Sequence, residues 1–105
     1  MVSNETLAEI TRRLVEGFHP DKIILFGSQA RGTADNRSDI DILVICSVRR
    51  NRRALMLDMY DVLDNMKVAK DIIILTPEEF EIDRQIPGTI ARPAWKEGKT
   101  LYERS

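Results

Sequence analysis

The run Ile40 to Cys46 is apolar, largely β-branched and broken by a single carboxylate, Asp41. Such a run reads as a buried strand. Side chains alternate between the two faces of a strand. Asp39 and Asp41 therefore share a face with Leu43 and Ile45, while Ile40, Ile42 and Val44 face the other way. Two carboxylates about 4–5 Å apart repel by roughly 1 kcal/mol in water and several-fold more inside a protein. The plainer reading is that Asp39 starts the strand and Asp41 caps a nearby backbone group. Against it stands the setting of Asp41, within Ile-Asp-Ile-Leu-Val-Ile, where an unpaired charge is costly. A divalent cation resolves the conflict. Mg²⁺ suits it, because that ion takes a few carboxylate oxygens together with substrate phosphates.

Ten residues separate Asp39 from a small-residue turn, Gly27-Ser28, which closes the apolar run Lys22 to Phe26. If Ser28 to Arg31 begin a helical turn, the amides at its N-terminus form an anion site. Glycine lets a ligand approach the backbone, and the Ser28 hydroxyl can donate to a phosphate oxygen. The turn is not a P-loop: Gly27 and Gly32 have the right separation, but Thr33 stands where a lysine is required. Nor does it carry the glycine spacing of a dinucleotide fingerprint. Gly-Ser alone reads as an ordinary turn, and its weight comes from the carboxylates that follow.

Chemistry on a nucleoside triphosphate usually calls for a further acid, which also helps deprotonate an attacking hydroxyl. Asp58, Asp61 and Asp64 fall on a predicted helix. Asp71 opens a third strand, Asp71 to Leu75, much as Asp39 opens the second. If those strands are neighbours, Asp71 comes close to the pair.

The remaining pattern frames these elements. Ser3 or Asn4 can cap a helix with Leu7, Ile10, Leu14 and Phe18 on one face, ended by Gly17 and Pro20. Arg52 to Lys67 forms a second helix, with Leu55, Met59, Val62, Leu63 and Met66 on one face. Thr76-Pro77-Glu78-Glu79 is a capping box with proline at the first helical position. Thr89 can cap a helix running to Glu97 and stopped by Gly98, in which Pro93 is expected to introduce a kink. Lys99 to Glu103 can add a short edge strand, and Gly32 to Ser38 is a polar loop. The order α-β-β-α-β-α-α predicts an α/β (α+β) fold, a small mixed sheet with helices packed on it.

A length of 105 residues predicts one domain, residues 1–105. The net charge of −1 provides no global attraction for nucleic acid or membrane surfaces, and no direct nucleic-acid binding is expected. Cys46 is the one cysteine, so no internal disulfide forms. The start of the chain lacks the basic and apolar segments of a secretion signal, and no stretch approaches the roughly 20 apolar residues of a membrane span. A cytoplasmic protein is expected.

The strings Ile24-Leu25-Phe26-Gly27-Ser28-Gln29-Ala30-Arg31-Gly32 and Ser38-Asp39-Ile40-Asp41-Ile42-Leu43-Val44 resemble the polymerase-β-like nucleotidyltransferase superfamily. More narrowly the chain resembles the minimal nucleotidyltransferases, or MNT proteins, paired with HEPN-domain proteins. The ending Trp95-Lys96-Glu97-Gly98-Lys99-Thr100-Leu101-Tyr102-Glu103 is also similar to the small members. The resemblance implies the nucleotidyltransferase fold. It implies that Gly27 and Ser28 hold the triphosphate, that Asp39, Asp41 and Asp71 bind Mg²⁺, and that Asp71 is a candidate base. It implies transfer of AMP from ATP to a hydroxyl, in the HEPN-paired members a tyrosine of the toxin, so that the chain acts as an antitoxin. Two alternatives remain at this stage: an antitoxin that works by occlusion alone, its catalysis vestigial, and a nucleotidyltransferase acting on a small molecule.

Other residues point less clearly. Arg49, Arg50, Arg52 and Arg53 cluster before the second helix, where cations oppose the helix dipole. They read as a solvated loop, or as a docking point for phosphate or an acidic partner. Arg31 can reach phosphate or brace the turn. His19 reads as a loop residue, Cys46 as core, and Trp95 and Tyr102 as cover for a core edge or, alternatively, as a partner contact.

Overall fold

The computed structural model describes residues 2–32 and 39–105. The expected loop from Gly32 to Ser38 lies outside them apart from Gly32. The chain runs α1 (Asn4–Phe18), β1 (Lys22–Phe26), α2 (Ser28–Arg31), β2 (Ile40–Ile45), α3 (Arg52–Val62), β3 (Lys70–Leu75), α4 (Pro77–Asp83), α5 (Ala91–Glu97) and β4 (Lys99–Glu103). The sheet order is β3-β2-β1-β4. β1 is antiparallel to both β2 and β4, and β2 is parallel to β3. The mixed sheet with packed helices is the expected α/β (α+β) class, and Lys99–Glu103 is the edge strand.

Alternation along the strands gives the sheet two apolar faces. Ile40, Ile42 and Val44 join Leu7, Ile10 and Leu14 of α1 and Met59 of α3 in one cluster. Leu43 and Ile45 join Ile24, Phe80 of α4, and Ala91 and Ala94 of α5 in the other. The parallel pair needs a crossover, and α3 supplies it. This connection sets the starts of β2 and β3 side by side, and that juxtaposition positions the site.

Several boundaries differ from the sequence expectation, each for a local reason. α1 continues through Gly17 to Phe18 and stops at His19, which takes the left-handed conformation at φ 48° and returns its N–H to the Val15 carbonyl. α3 ends at Val62 rather than Lys67. Arg13 of α1 donates to the Val62 carbonyl at 3.0 Å and to Asn65 Oδ1 at 2.5 Å, capping the helix there. Leu63 and Asp64 close with three-residue turns instead. Pro93 does not break α5. It is the third residue of the helix, where amides have no intrahelical carbonyl to reach, so its missing N–H costs nothing. Trp95 is 44% exposed rather than core, with the Arg84 guanidinium stacked 4.7 Å above its ring. Tyr102 packs on the edge of the α1 cluster, as expected.

Polar groups secure the helix ends and an edge. Tyr60 Oη accepts from the Ile72 amide at 2.9 Å, satisfying a donor on the outer edge of β3. The Thr76 hydroxyl accepts from the Glu79 amide at 3.1 Å, and Glu79 Oε1 accepts from the Thr76 amide at 2.8 Å. Arg52 also pairs with Glu79, at 3.0 Å. Thr76→Ala removes half of this box. It is expected to lower unfolding stability in urea by about 1 kcal/mol while leaving nucleotide binding unchanged. An unchanged urea midpoint would show that the box adds nothing to α4.

Candidate active site

The site forms where β1 ends and β2 and β3 begin. Phe26 pairs with Asp41 across the antiparallel ladder, and Asp41 pairs with Asp71 across the parallel one. Adjacent strands lie about 4.8 Å apart, so register alone makes Asp41 and Asp71 neighbours. Asp39 stands two residues before Asp41, on the same face by alternation. Asp41 is partly buried, whereas Asp39 and Asp71 are exposed at the mouth. Burial, followed by the negative charges of Asp71 and Asp39, pushes the Asp41 carboxyl above the usual carboxylate range, and Arg31 pulls weakly the other way. Three carboxylates from two strands thus feel one another at a single mouth.

Gly27 shapes the wall facing Asp41. Its backbone sits at φ 73°, ψ −156°, a region essentially reserved for glycine. A Cβ placed there would lie 2.3 Å from Asp41 Oδ2 and 3.2 Å from Asp41 Cγ. The missing side chain is therefore the space the Asp41 carboxylate occupies. Ser28 begins α2, as the sequence suggests, and the Ala30 and Arg31 amides return to the Gly27 carbonyl at 3.1 and 3.2 Å. The Ser28 amide precedes that ladder and has no carbonyl of its own helix to meet.

The donor set fits a hard divalent cation. All three groups offer carboxylate oxygens, and a cation there relieves the repulsion that raises Asp41. Among the described residues, no group of three or more His, Cys, Asp or Glu side chains is placed to hold a metal ion by itself. An open mouth is what Mg²⁺ uses when substrate phosphates complete its coordination.

Residues around this core take parts that the sequence did not disclose, apart from Arg31, for which bracing the turn was one of the two expected parts. Gln29 is buried at 5% exposure, and its Oε1 accepts from the Val2 amide at 3.1 Å, tying the turn to the chain ahead of α1. Nothing in a glutamine within a small-residue turn announces such a tether. Arg31 Nη1 lies 3.9 Å from Glu97 Oε2, bracing the turn against the end of α5 while its charge still reaches Asp41. Gly98 lets α5 cross close to β1: a Cβ there would lie 2.2 Å from the Ala94 carbonyl oxygen and 2.5 Å from Ile24 Cγ2. The basic run is elsewhere. Arg49 to Arg53 follow the far end of β2, and Arg52 is committed to Glu79 and to the Ile74 carbonyl.

The family model described as polymerase beta, nucleotidyltransferase, matches residues 8–105. The chain belongs to that family. This nucleotidyltransferase domain is 40% identical over 73 residues to a Methanocaldococcus jannaschii protein whose name proposes a protein adenylyltransferase. That match covers 68% of this chain but only 44% of the relative, less than half its length. Among solved structures, it resembles a Sulfolobus solfataricus protein whose name proposes a nucleotidyltransferase, with TM-score 0.62, 25% identity, and coverage of 95% of this chain and 79% of that one. It shares its fold with a chain of a toxin–antitoxin complex with AMP-PNP, at TM-score 0.68, 22% identity, and coverage of 98% and 76%. It also shares its fold with a chain of the complex between tri-AMPylated Shewanella oneidensis HEPN toxin and MNT antitoxin, at TM-score 0.61, 19% identity, and coverage of 95% and 71%. Among the described residues, no helix is long and apolar enough to cross a membrane.

Proposed function

We propose that this chain is a Mg²⁺-dependent nucleotidyltransferase that moves AMP from ATP to a hydroxyl, the acceptor being a tyrosine of a HEPN toxin, and that it thereby acts as a cytoplasmic antitoxin. The observation that carries the reading is the register of Asp41 against Asp71, with Gly27 vacating the space for the Asp41 carboxylate. Residues 1–105 act as one nucleotidyltransferase domain, a reading supported by the match over residues 8–105 and by the single sheet. The named adenylyltransferase relative supports the donor chemistry, and the antitoxin complexes that share the fold support the partner class.

In this reading Asp39, Asp41 and Asp71 hold Mg²⁺, which neutralises charge on the triphosphate. Gly27 and Ser28 cradle the phosphates with backbone amide and hydroxyl. Asp71, exposed at the mouth, takes the proton of the attacking hydroxyl. The acceptor oxygen bonds to the α-phosphorus as the bond to pyrophosphate breaks. The acceptor surface belongs largely to the partner.

The test is direct. The purified chain is incubated with α-labelled ATP, Mg²⁺ and a cognate HEPN protein. Label is expected on the partner, lost when EDTA removes the metal and lost when the acceptor tyrosine is changed to phenylalanine. An unlabelled partner in the presence of Mg²⁺ overturns the transfer reading, and inhibition of the toxin without label would establish occlusion instead.

A further inference from the structure

A second recess lies at the other end of the sheet from the carboxylates, with a volume of about 650 Å³. That is the range of sites that enclose small organic ligands. Cys46, just past the end of β2, is among its lining residues. Five residues on from Asp41 (46 − 41 = 5), this places it about 16 Å away along the strand. Phe18, at the end of α1, and Leu55 of α3 make an apolar wall. Arg49, Arg50 and Arg104 make a basic one. His19, on the rim, is the non-glycine residue held at positive φ among the described residues.

The arginines are not equally occupied. Arg50 pairs with Asp58, and Arg104 pairs with Asp21 at 3.5 Å and donates to the His19 carbonyl. Arg49 is exposed and has no carboxylate partner among the described residues. Three arginines against Asp21 and Asp58 leave a local charge of +1 (3 − 2). Cations ahead of α3 oppose its dipole, so helix stability does not explain Arg49. A guanidinium fork matches phosphate oxygens, and an apolar wall beside it matches the face of a nucleobase.

We infer that this recess is a second, non-catalytic binding site for a small phosphate-bearing ligand of the nucleoside di- or triphosphate class, with the base against Phe18 and Leu55 and the phosphates toward Arg49. A bounded recess in which one arginine has no carboxylate partner among the described residues suits a small molecule better than a nucleic-acid strand, which is bound along an extended positive groove with stacking aromatics. Binding here is independent of Mg²⁺ and of the carboxylate mouth.

The isotope-labelled full-length chain is titrated with ADP in EDTA at low salt and followed by amide NMR. The amides of His19, Ser47 and Arg49 are expected to shift, equally so in Asp39→Asn with Asp41→Asn. Affinity is expected to fall about tenfold in Arg49→Glu, to stay within about threefold in Arg49→Lys, and to drop as salt rises. Pyrophosphate, lacking a base, should bind more weakly than ADP. Shifts confined to Gly27, Ser28 and Asp41, or an Arg49→Glu protein that binds ADP like the parent, would overturn the second site. Equal affinity for pyrophosphate and ADP would remove the nucleoside from the assignment. A short single-stranded RNA saturating the same amides more tightly than ADP would replace the small ligand with a polymer.

Discussion

Asp41→Asn is expected to leave the protein folded, to raise its melting temperature at neutral pH without metal, and to abolish nucleotidyl transfer. The first two effects follow from the position of Asp41 between a buried strand and two like charges. Its carboxyl binds a proton more tightly folded than unfolded. The folded state therefore holds more protons across the interval between the ordinary aspartate pKa and the raised folded one, and stability is lost as pH rises through that interval. The neutral amide does not suffer this loss. Removing a partly buried charge, and with it the repulsion from two exposed neighbours, is worth on the order of 1 kcal/mol, or roughly 4 °C for a domain of this size. The gain should fade as pH falls below the ordinary aspartate pKa, where the Asp41 carboxyl is protonated in both states. If Asp41 is a metal ligand as proposed, Mg²⁺ should raise the melting temperature of the parent and not of the variant. Transfer should fall by about a thousandfold or more, near 4 kcal/mol of lost transition-state stabilisation. A variant no more stable than the parent in EDTA at pH 7 would mean that Asp41 is not electrostatically strained. A variant retaining a tenth of the activity would remove it from the metal site.

This opposition between stability and chemistry explains why the site was legible from sequence. A carboxylate inside Ile-Asp-Ile-Leu-Val-Ile violates the local rule for a buried strand, and such violations mark function. Alternation then placed Asp39 and Asp41 on the α4/α5 face, where the second cluster contains Leu43 and Ile45. Asp71 required one further assumption, that β2 and β3 are neighbours, and the crossover through α3 satisfies it. The catalytic role of all three remains the expectation that labelling and substitution address. Helix starts were equally plain where side chains signal them, at Ser3 and Thr76.

What the sequence concealed depends on contacts between segments far apart in the chain. The end of α3 is set by Arg13, 49 residues earlier than the carbonyl it caps. The tether from Gln29 to Val2 spans 27 residues. Pro93 sits in the first turn of α5, where it is tolerated, because α5 begins only at Ala91, a boundary that no side-chain cap announces. Trp95 had the composition of a core residue and became an exposed platform for Arg84, since the small Ala91 and Ala94 face the sheet instead. The basic run shows the same limit: one arginine joins a capping box, another joins Asp58, and proximity in sequence said nothing of the division.

Gly27→Ala should be nearly as damaging to transfer as loss of a carboxylate, for a reason distinct from charge. The new methyl would sit 2.3 Å from Asp41 Oδ2, well inside contact distance. The backbone at φ 73°, ψ −156° is also one that alanine adopts only under strain of about 1–3 kcal/mol. Either the Asp41 carboxylate rotates away or the turn carrying Ser28 shifts, and both displace a group from the reacting phosphate. A misplacement near 1 Å costs about a hundredfold in rate, so a loss of about 10²-fold or more is expected. Ser28→Ala, which removes one hydroxyl donor and moves nothing, should cost about tenfold. A double-mutant cycle separates the two causes. Truncating Asp41 to alanine removes the atoms the new methyl would meet but leaves the φ strain. The destabilisation by Gly27→Ala, measured in urea, should therefore be smaller in the Asp41→Ala background than in the parent, with a coupling of roughly 1 kcal/mol. Additive costs would assign the whole effect to backbone strain and would mean that Gly27 is not the space in which Asp41 works.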